Sequence, residues 1–153
     1  MATQNFSRSL PMMLYRALDA VMPRFRLIFN EFGLTEQQWR VLRVLWEEEE
    51  IAFRSLSDIT LIPAPSLVGV IDRLAKQGLV GRHRSEKDRR NVFVYATDEG
   101  KELHRRVRPR VDAAYAELRG SIDERDWNQL IDGLERIASL EANGPGERPA
   151  VNQ

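Results

Sequence analysis

Between residues 54 and 97 the spacing of apolar residues changes from helical to alternating, and the change is bracketed by chain breaks. Residues 54–61 read as a short helix with Leu56 and Ile59 turned inward. The break follows at Ile62-Pro63, since a proline pushes the residue before it out of the α region. Residues 64–77 form the next helix, with Leu67, Ile71 and Leu74 on one face and Gly78 closing it. Residues 79–84 and 92–97 then read as two strands around SEKDRRN, a polar and charged hairpin tip. Two short helices joined by a tight turn make a helix-turn-helix. The hairpin that follows makes it a winged one.

The flanks are helical. Residues 9–32 place Leu14, Leu18, Val21, Phe25, Ile28 and Phe32 at alternating steps of four and three, a seam suited to another helix. Pro11 suits the start of this helix. Pro23 should kink or split it, and Gly33 should end it. Thr35 and Gln38 have the spacing of a capping box for a helix over 36–47, which is apolar nearly all round and so belongs in the middle of a domain. Ile51-Ala52-Phe53 has the length of an edge strand. Thr97-Asp98 opens a helix to about 119, with Pro109 expected to bend it, and Asp123 caps a last helix carrying Trp127, Leu130, Leu134 and Ile137 on one face. The fold class expected is mainly α with a small β-wing, in the order α-α-β-α-α-β-β-α-α. A helix-turn-helix core needs no such set of extra apolar helices, so they suggest a layer that pairs two copies into a homodimer. The alternative is that they wrap the monomer core. The reading takes 9–141 as one unit, with 36–97 as the winged part, 9–32 plus 98–141 as the dimerisation part, and 1–8 and 142–153 as flexible tails.

Composition narrows the function. The chain has no cysteine, and its two histidines, His83 and His104, have no ligand cluster around them, so no metal and no cofactor are expected. Glu47–Glu50 reads as a solvated turn. No nucleophile stands with a base and there is no glycine-rich phosphate loop, which disfavours an enzyme. There is no signal-peptide pattern and no membrane-length apolar run, so a cytoplasmic chain without a membrane partner is expected. Net charge is zero, but residues 63–110 hold twelve Lys/Arg against six Asp/Glu, a local +6 balanced by −6 elsewhere. A basic middle in a neutral chain is a local footprint for phosphates.

The candidate contacts to double-stranded DNA lie in that middle or beside it. At the hairpin tip, Arg84, Asp88, Arg89 and Arg90 stand among Arg82 and Lys87. Arginine on such a hairpin can enter a narrow minor groove, and Asp88 is expected to aim the Arg90 guanidinium through a bidentate pair. A solvated charged loop is the alternative. The second helix of the motif offers Ala64, Pro65, Ser66, Val68 and Gly69, small residues that let a helix seat deeply in a major groove. Val68 suits a thymine methyl, and Ser66 suits a base or a phosphate. Arg73 is read as a phosphate clamp or an internal ion pair, and Arg54 and Ser55 of the preceding helix join the set.

The stretch from Leu56 to Leu103 resembles the DNA-binding core of the MarR family. Its markers are Asp72-Arg73-Leu74 near the end of the recognition helix, Gly78-Leu79-Val80 entering the wing, Asp88 with Arg90 at the tip, and Thr97 with Gly100 opening the next helix. The resemblance covers about residues 9–141. It implies a dimer on pseudo-palindromic operators, usually a repressor released by a small ligand. Many members carry Thr and Arg where this chain has Val68 and Gly69, which implies thinner direct base readout and heavier shape readout. Within the family, GLTEQQWRVLRVLWE and IPAPSLVGVIDRL are most similar to repressors of aromatic-acid catabolism, which implies a phenolic or aromatic carboxylate effector. For such an effector the candidate residues are Arg26, Trp39, Arg40 and Arg43, with guanidinium clamping carboxylate and the indole stacking on the ring. Helix ion pairs of Arg40 with Glu36 and of Arg43 with Glu47 are the plainer explanation. A winged-helix architectural or partner-binding protein without an effector is the competing function.

Overall fold

The structure, a computed structural model, describes residues 6–140. The proposed tails lie outside those residues, except that Phe6–Arg8 forms a 3-10 turn. The elements then run α1 (Leu10–Glu31), α2 (Glu36–Leu45), β1 (Ile51–Ala52), α3 (Phe53–Thr60), α4 (Ala64–Lys76), β2 (Val80–Arg84), β3 (Val92–Ala96), α5 (Asp98–Gly120) and α6 (Glu124–Ser139). This is the order expected from the sequence. The chain forms two compact units, Met1–Ala114 and Tyr115–Gln153.

Local chemistry explains most boundaries. At the end of α1 the Leu34 N–H donates to the Phe29 carbonyl at 2.9 Å and the Gly33 N–H to the Asn30 carbonyl at 3.0 Å. That reversal needs a residue at positive φ, and Gly33 supplies +68°. Two residues later Thr35 opens α2. Its hydroxyl accepts from the Gln38 N–H at 3.2 Å, and the Gln38 side-chain carbonyl accepts from the Thr35 N–H at 2.9 Å. Gln38 is buried, and its amide also donates to Gln77 Oε1 at 3.4 Å, joining the start of α2 to the end of α4. Thr35→Ala is therefore expected to cost about 1 kcal/mol, read as a fall of a few degrees in a thermal melt. An unchanged melt would mean that the box is not formed in solution.

Four sequence expectations need correcting. Ile59 is exposed, because the eight-residue α3 buries only Leu56 and Thr60. Phe53 belongs to α3, and β1 is the two-residue Ile51–Ala52. Of the two outcomes expected at Pro23, a split is not seen, since α1 runs unbroken through it. The α1 seam is covered only in part: Phe25 and Ile28 are buried, whereas Leu18 is exposed.

The core of the first unit gathers Phe25 and Phe29 from α1, Val41, Leu42 and Leu45 from α2, Leu56 from α3, Leu67, Val70, Ile71 and Leu74 from α4, and Val94 from β3. The sheet is antiparallel in the order β1-β3-β2, with Val80 opposite Ala96 and Arg84 opposite Val92. That register places Arg82 and Arg84 on the same face as Val92 and Val94. Among the described residues, no helix is long and apolar enough to cross a membrane, and no group of three or more His, Asp or Glu is placed to hold a metal.

Candidate nucleic-acid interface

The wing and α4 enclose a cleft of about 720 Å³. Its floor is apolar, with Phe53, Val68, Ile71, Val92 and Val94, and its rim is cationic, with Arg54, Arg82, Arg84 and Arg90. The floor follows from the strand register and from the helical period of α4. Val68 departs from the other apolar residues of α4: it is 47% exposed, whereas Leu67, Val70, Ile71 and Leu74 are closed off.

The arginines divide by what already holds them. Arg82 is committed, since its guanidinium donates to Asp72 Oδ1 at 2.6 Å and so braces β2 against α4. Sequence reading missed this strut. The signal lay in the strand alternation, which turns position 82 toward the helix. Arg84 donates to the Arg89 carbonyl at 3.2 Å and closes the base of the tip. Among the described residues, the side chains of Arg54, Arg73, Arg89 and Arg90 take part in no hydrogen bond or ion pair. The internal ion pair considered for Arg73 is therefore absent.

The tip is a closed turn. Ser85 Oγ accepts from the Lys87 and Asp88 N–H groups, and the Asp88 carbonyl accepts from the Asn91 N–H at 2.9 Å. Asp88 Oδ1 accepts from the backbone N–H of Arg90 at 3.0 Å. This corrects the expected pair with the Arg90 guanidinium. A carboxylate two residues before an N–H makes the local Asx turn more readily than it reaches a long side chain. Ala64, Pro65 and Ser66 form the exposed first turn of α4, with Pro65 inside it, and Arg54 and Ser55 are exposed on the first turn of α3.

His83, to which the sequence assigned no DNA or effector role, lies on β2 stacked on Phe93, with Nε2 2.6 Å from Glu50 Oε2. The bond to Glu50, helped by the Arg84 carbonyl, raises its pKa above the usual 6.5. Its stabilising contribution is therefore full below that value and fades as pH rises through the raised one.

None of the four effector candidates lines the wing cleft; Arg26 lies on α1, and Trp39, Arg40 and Arg43 lie on α2. Arg26 Nε meets Glu36 at 3.1 Å. Arg40 donates to the Thr60 carbonyl at 2.9 Å, bracing the C-terminal end of α3, so the expected Arg40–Glu36 pair is not formed. Arg43 does pair with Glu47, at 2.6 Å, and both are exposed. Trp39 stacks on Phe29 at 4.6 Å between ring centres and meets Trp46 edge-on at 5.3 Å. Trp46 in turn stacks on His104 at 4.4 Å. Burial lowers the pKa of His104, and the charges of Arg108 and Arg43 lower it further.

The family model described as transcriptional regulator SarA/Rot matches residues 24–107, from the middle of α1 through the wing into α5. The chain belongs to the SarA/Rot/MarR type of winged-helix transcriptional regulators. The HTH-type transcriptional regulator FarR of Neisseria gonorrhoeae is 35% identical over 92% of this chain and 97% of its own length. The homoprotocatechuate degradative operon repressor of Escherichia coli is 32% identical over 95% of this chain and 98% of its own. Among solved structures, NadR in complex with 4-hydroxyphenylacetate superposes with a TM-score of 0.78 at 35% identity, covering 92% of this chain and 99% of that one. These relatives are regulators and not enzymes. The family model ends in α5, so α6 lies outside it.

Proposed function

We propose that this regulator is a homodimeric repressor of genes for aromatic-compound catabolism, released from DNA by a phenolic or aromatic carboxylate. The observation that carries the DNA half of the reading is the cleft between α4 and the wing, apolar at its floor and rimmed by arginine. In this reading α4 enters a major groove with Ala64, Pro65, Ser66, Val68, Gly69 and Arg73 toward the bases and phosphates. The wing reaches the adjacent minor groove with Arg90, supported by Arg84, Asp88 and Arg89. Arg54 and Ser55 take phosphates, as do the free N–H groups at the start of α4. Exposed Leu10, Met13 and Leu18 on α1, and Leu130, Ile131 and Ile137 on α6, support pairing of two copies through the flanking helices.

The effector half rests on the relatives. One is named for an aromatic catabolic operon, and another is described with 4-hydroxyphenylacetate bound. Of the four candidate residues, Arg43 and Trp39 fit a carboxylate and its ring best. Among the described residues Arg43 is held by one exposed pair, with Glu47 just past the end of α2, which a ligand carboxylate can displace. Arg26 and Arg40 act as tethers, and the Arg40 tether links α2 to the end of α3, beside α4. A ligand that reshapes α2 releases DNA only if it binds the free conformation more tightly than the DNA-bound one.

The test uses duplexes recovered from random DNA, titrated with protein at several salt concentrations. A dimer making even six phosphate contacts should show a log–log slope of about −5. Adding 4-hydroxyphenylacetate should release the wild type, and Arg43→Ala should need at least about tenfold more ligand. A flat salt response would remove the basic cleft as the DNA face. Equal release of wild type and Arg43→Ala would remove Arg43 from the effector site.

A further inference from the structure

The exposed side of α4 has two flanks, and they are built differently. On the flank toward the wing lie Val68, which lines the cleft, and Asp72, which is spent on Arg82. On the opposite flank, at steps of three and four, lie Ser66, Gly69 and Arg73, which therefore form one row along the helix. Helical side chains lean toward the N-terminus. The Arg73 chain does so here: one guanidinium nitrogen, Nη1, lies 3.6 Å from where a Cβ on Gly69 would stand. Gly69 is thus a lane along which the guanidinium is carried one turn toward the end of the helix that offers its small residues. The nearest carboxylate along the chain, Asp72, is already taken by Arg82 at 2.6 Å. Arg73 itself is exposed and takes no hydrogen bond or ion pair among the described residues. An arginine laid along a groove-facing helix, with its five donors uncommitted, matches the bidentate O6/N7 edge of guanine.

We propose that Ser66, Gly69 and Arg73 form a base-reading row in which Arg73, laid across Gly69, selects a guanine in each half-site of the operator. The inference rests on the DNA-binding reading above. It assigns direct readout to Arg73 laid over Gly69, and Gly69 is one of the two positions at which the family resemblance implied thinner readout. Gly69 is a specificity-determining position here because its missing side chain sets where the guanidinium lies.

Binding-site selection from randomised duplex DNA tests this, with the wild type, Arg73→Ala, Arg73→Lys, Gly69→Ala and Gly69→Leu, each checked for folding by a thermal melt. The wild type should enrich a motif with a strongly preferred G in each half. Arg73→Ala and Arg73→Lys should lose that preference, since lysine keeps the charge but not the planar fork. Gly69→Ala should keep it, because a methyl at 3.6 Å is ordinary contact. Gly69→Leu should lose it while still binding non-specific DNA. On a duplex with the selected motif, changing that G to A in one half-site should weaken the wild type about five- to a hundredfold and Arg73→Ala hardly at all. The row is overturned if Arg73→Ala enriches the wild-type motif and merely binds every sequence more weakly, with a salt slope shallower by about 2 for a dimer. Arg73 then holds a phosphate. If the wild type enriches no motif, sequence-specific binding itself fails, and the row fails with it.

Discussion

Gly100→Ala is expected to destabilise the protein by about 3 kcal/mol or more, lowering the melting temperature by about 10 °C. A methyl at this position would stand 2.2 Å from the carbonyl oxygen of Leu79. That oxygen cannot swing aside as a side-chain tip can. It is fixed by accepting from the Thr97 N–H at 3.1 Å, on the strand side of α5. Gly100 is pinned from two other directions. Its N–H donates to Thr97 Oγ1 at 3.1 Å, while its carbonyl accepts from the Trp46 indole N–H at 2.9 Å. Thr97 Oγ1 in turn donates to the Gly78 carbonyl. The result is a clasp in which the entry to β2, the exit from β3 and the first turn of α5 meet backbone to backbone. In an open helix the same change is favourable by up to about 1 kcal/mol. Gly133 in α6, with nothing within 4 Å of its would-be Cβ, is the internal control and should gain stability on becoming alanine. Equal melts for the wild type and Gly100→Ala would show that the clasp is looser in solution than the geometry states.

The same clasp shows what the sequence could and could not disclose. The three-residue spacing of Thr97 and Gly100, and the run Gly78-Leu79-Val80, were visible as markers, but their meaning is a contact between segments about twenty residues apart. Helices were legible where a helical apolar pattern met a capping signal, as with Thr35 and Gln38 opening α2 and Gly33 ending α1. Ile59 was misplaced because eight residues hold barely two turns, too few to fix a face by period. At Pro23 only the split is excluded, since a long helix can lose one backbone bond and stay continuous. Side-chain pairings were the least legible. Arg40 had a carboxylate four residues away, yet it bonds the Thr60 carbonyl, because that acceptor lies at a helix end where carbonyls lack helical partners. Asp72 chose Arg82 across the fold over any neighbour on its own helix. Such choices depend on which acceptor tertiary packing brings within 3 Å, and spacing along the chain does not carry that information.

Arg90→Ala is expected to weaken operator binding by about 1–3 kcal/mol per half-site, which in a symmetric dimer comes to at least about thirtyfold in Kd. The expectation follows from the construction of the tip. Ser85, Asp88 and Asn91 close the turn through the backbone, and Arg84 ties its base to the Arg89 carbonyl. The Arg90 guanidinium lines the cleft rim and is engaged by no other described residue. A held backbone carrying an uncommitted cation presents charge to a minor groove at little ordering cost. Because the tip lies outside the core, the melt of Arg90→Ala should match the wild type. Asp88 acts differently from the role first expected of it. Its carboxylate oxygen holds the Arg90 N–H, so Asp88→Ala should loosen the turn and give a partial loss of affinity. Asp88→Asn keeps an acceptor oxygen at the same place and should restore most of the binding, which a role in neutralising or aiming the guanidinium would not produce to the same degree. Arg90→Lys should keep the salt slope and lose part of the affinity, because a lysine carries the charge without the planar fork. Binding curves for these four variants at two salt concentrations separate the possibilities. A folded Arg90→Ala dimer with wild-type affinity would take the wing tip out of the DNA interface and leave α4 to make the contact alone.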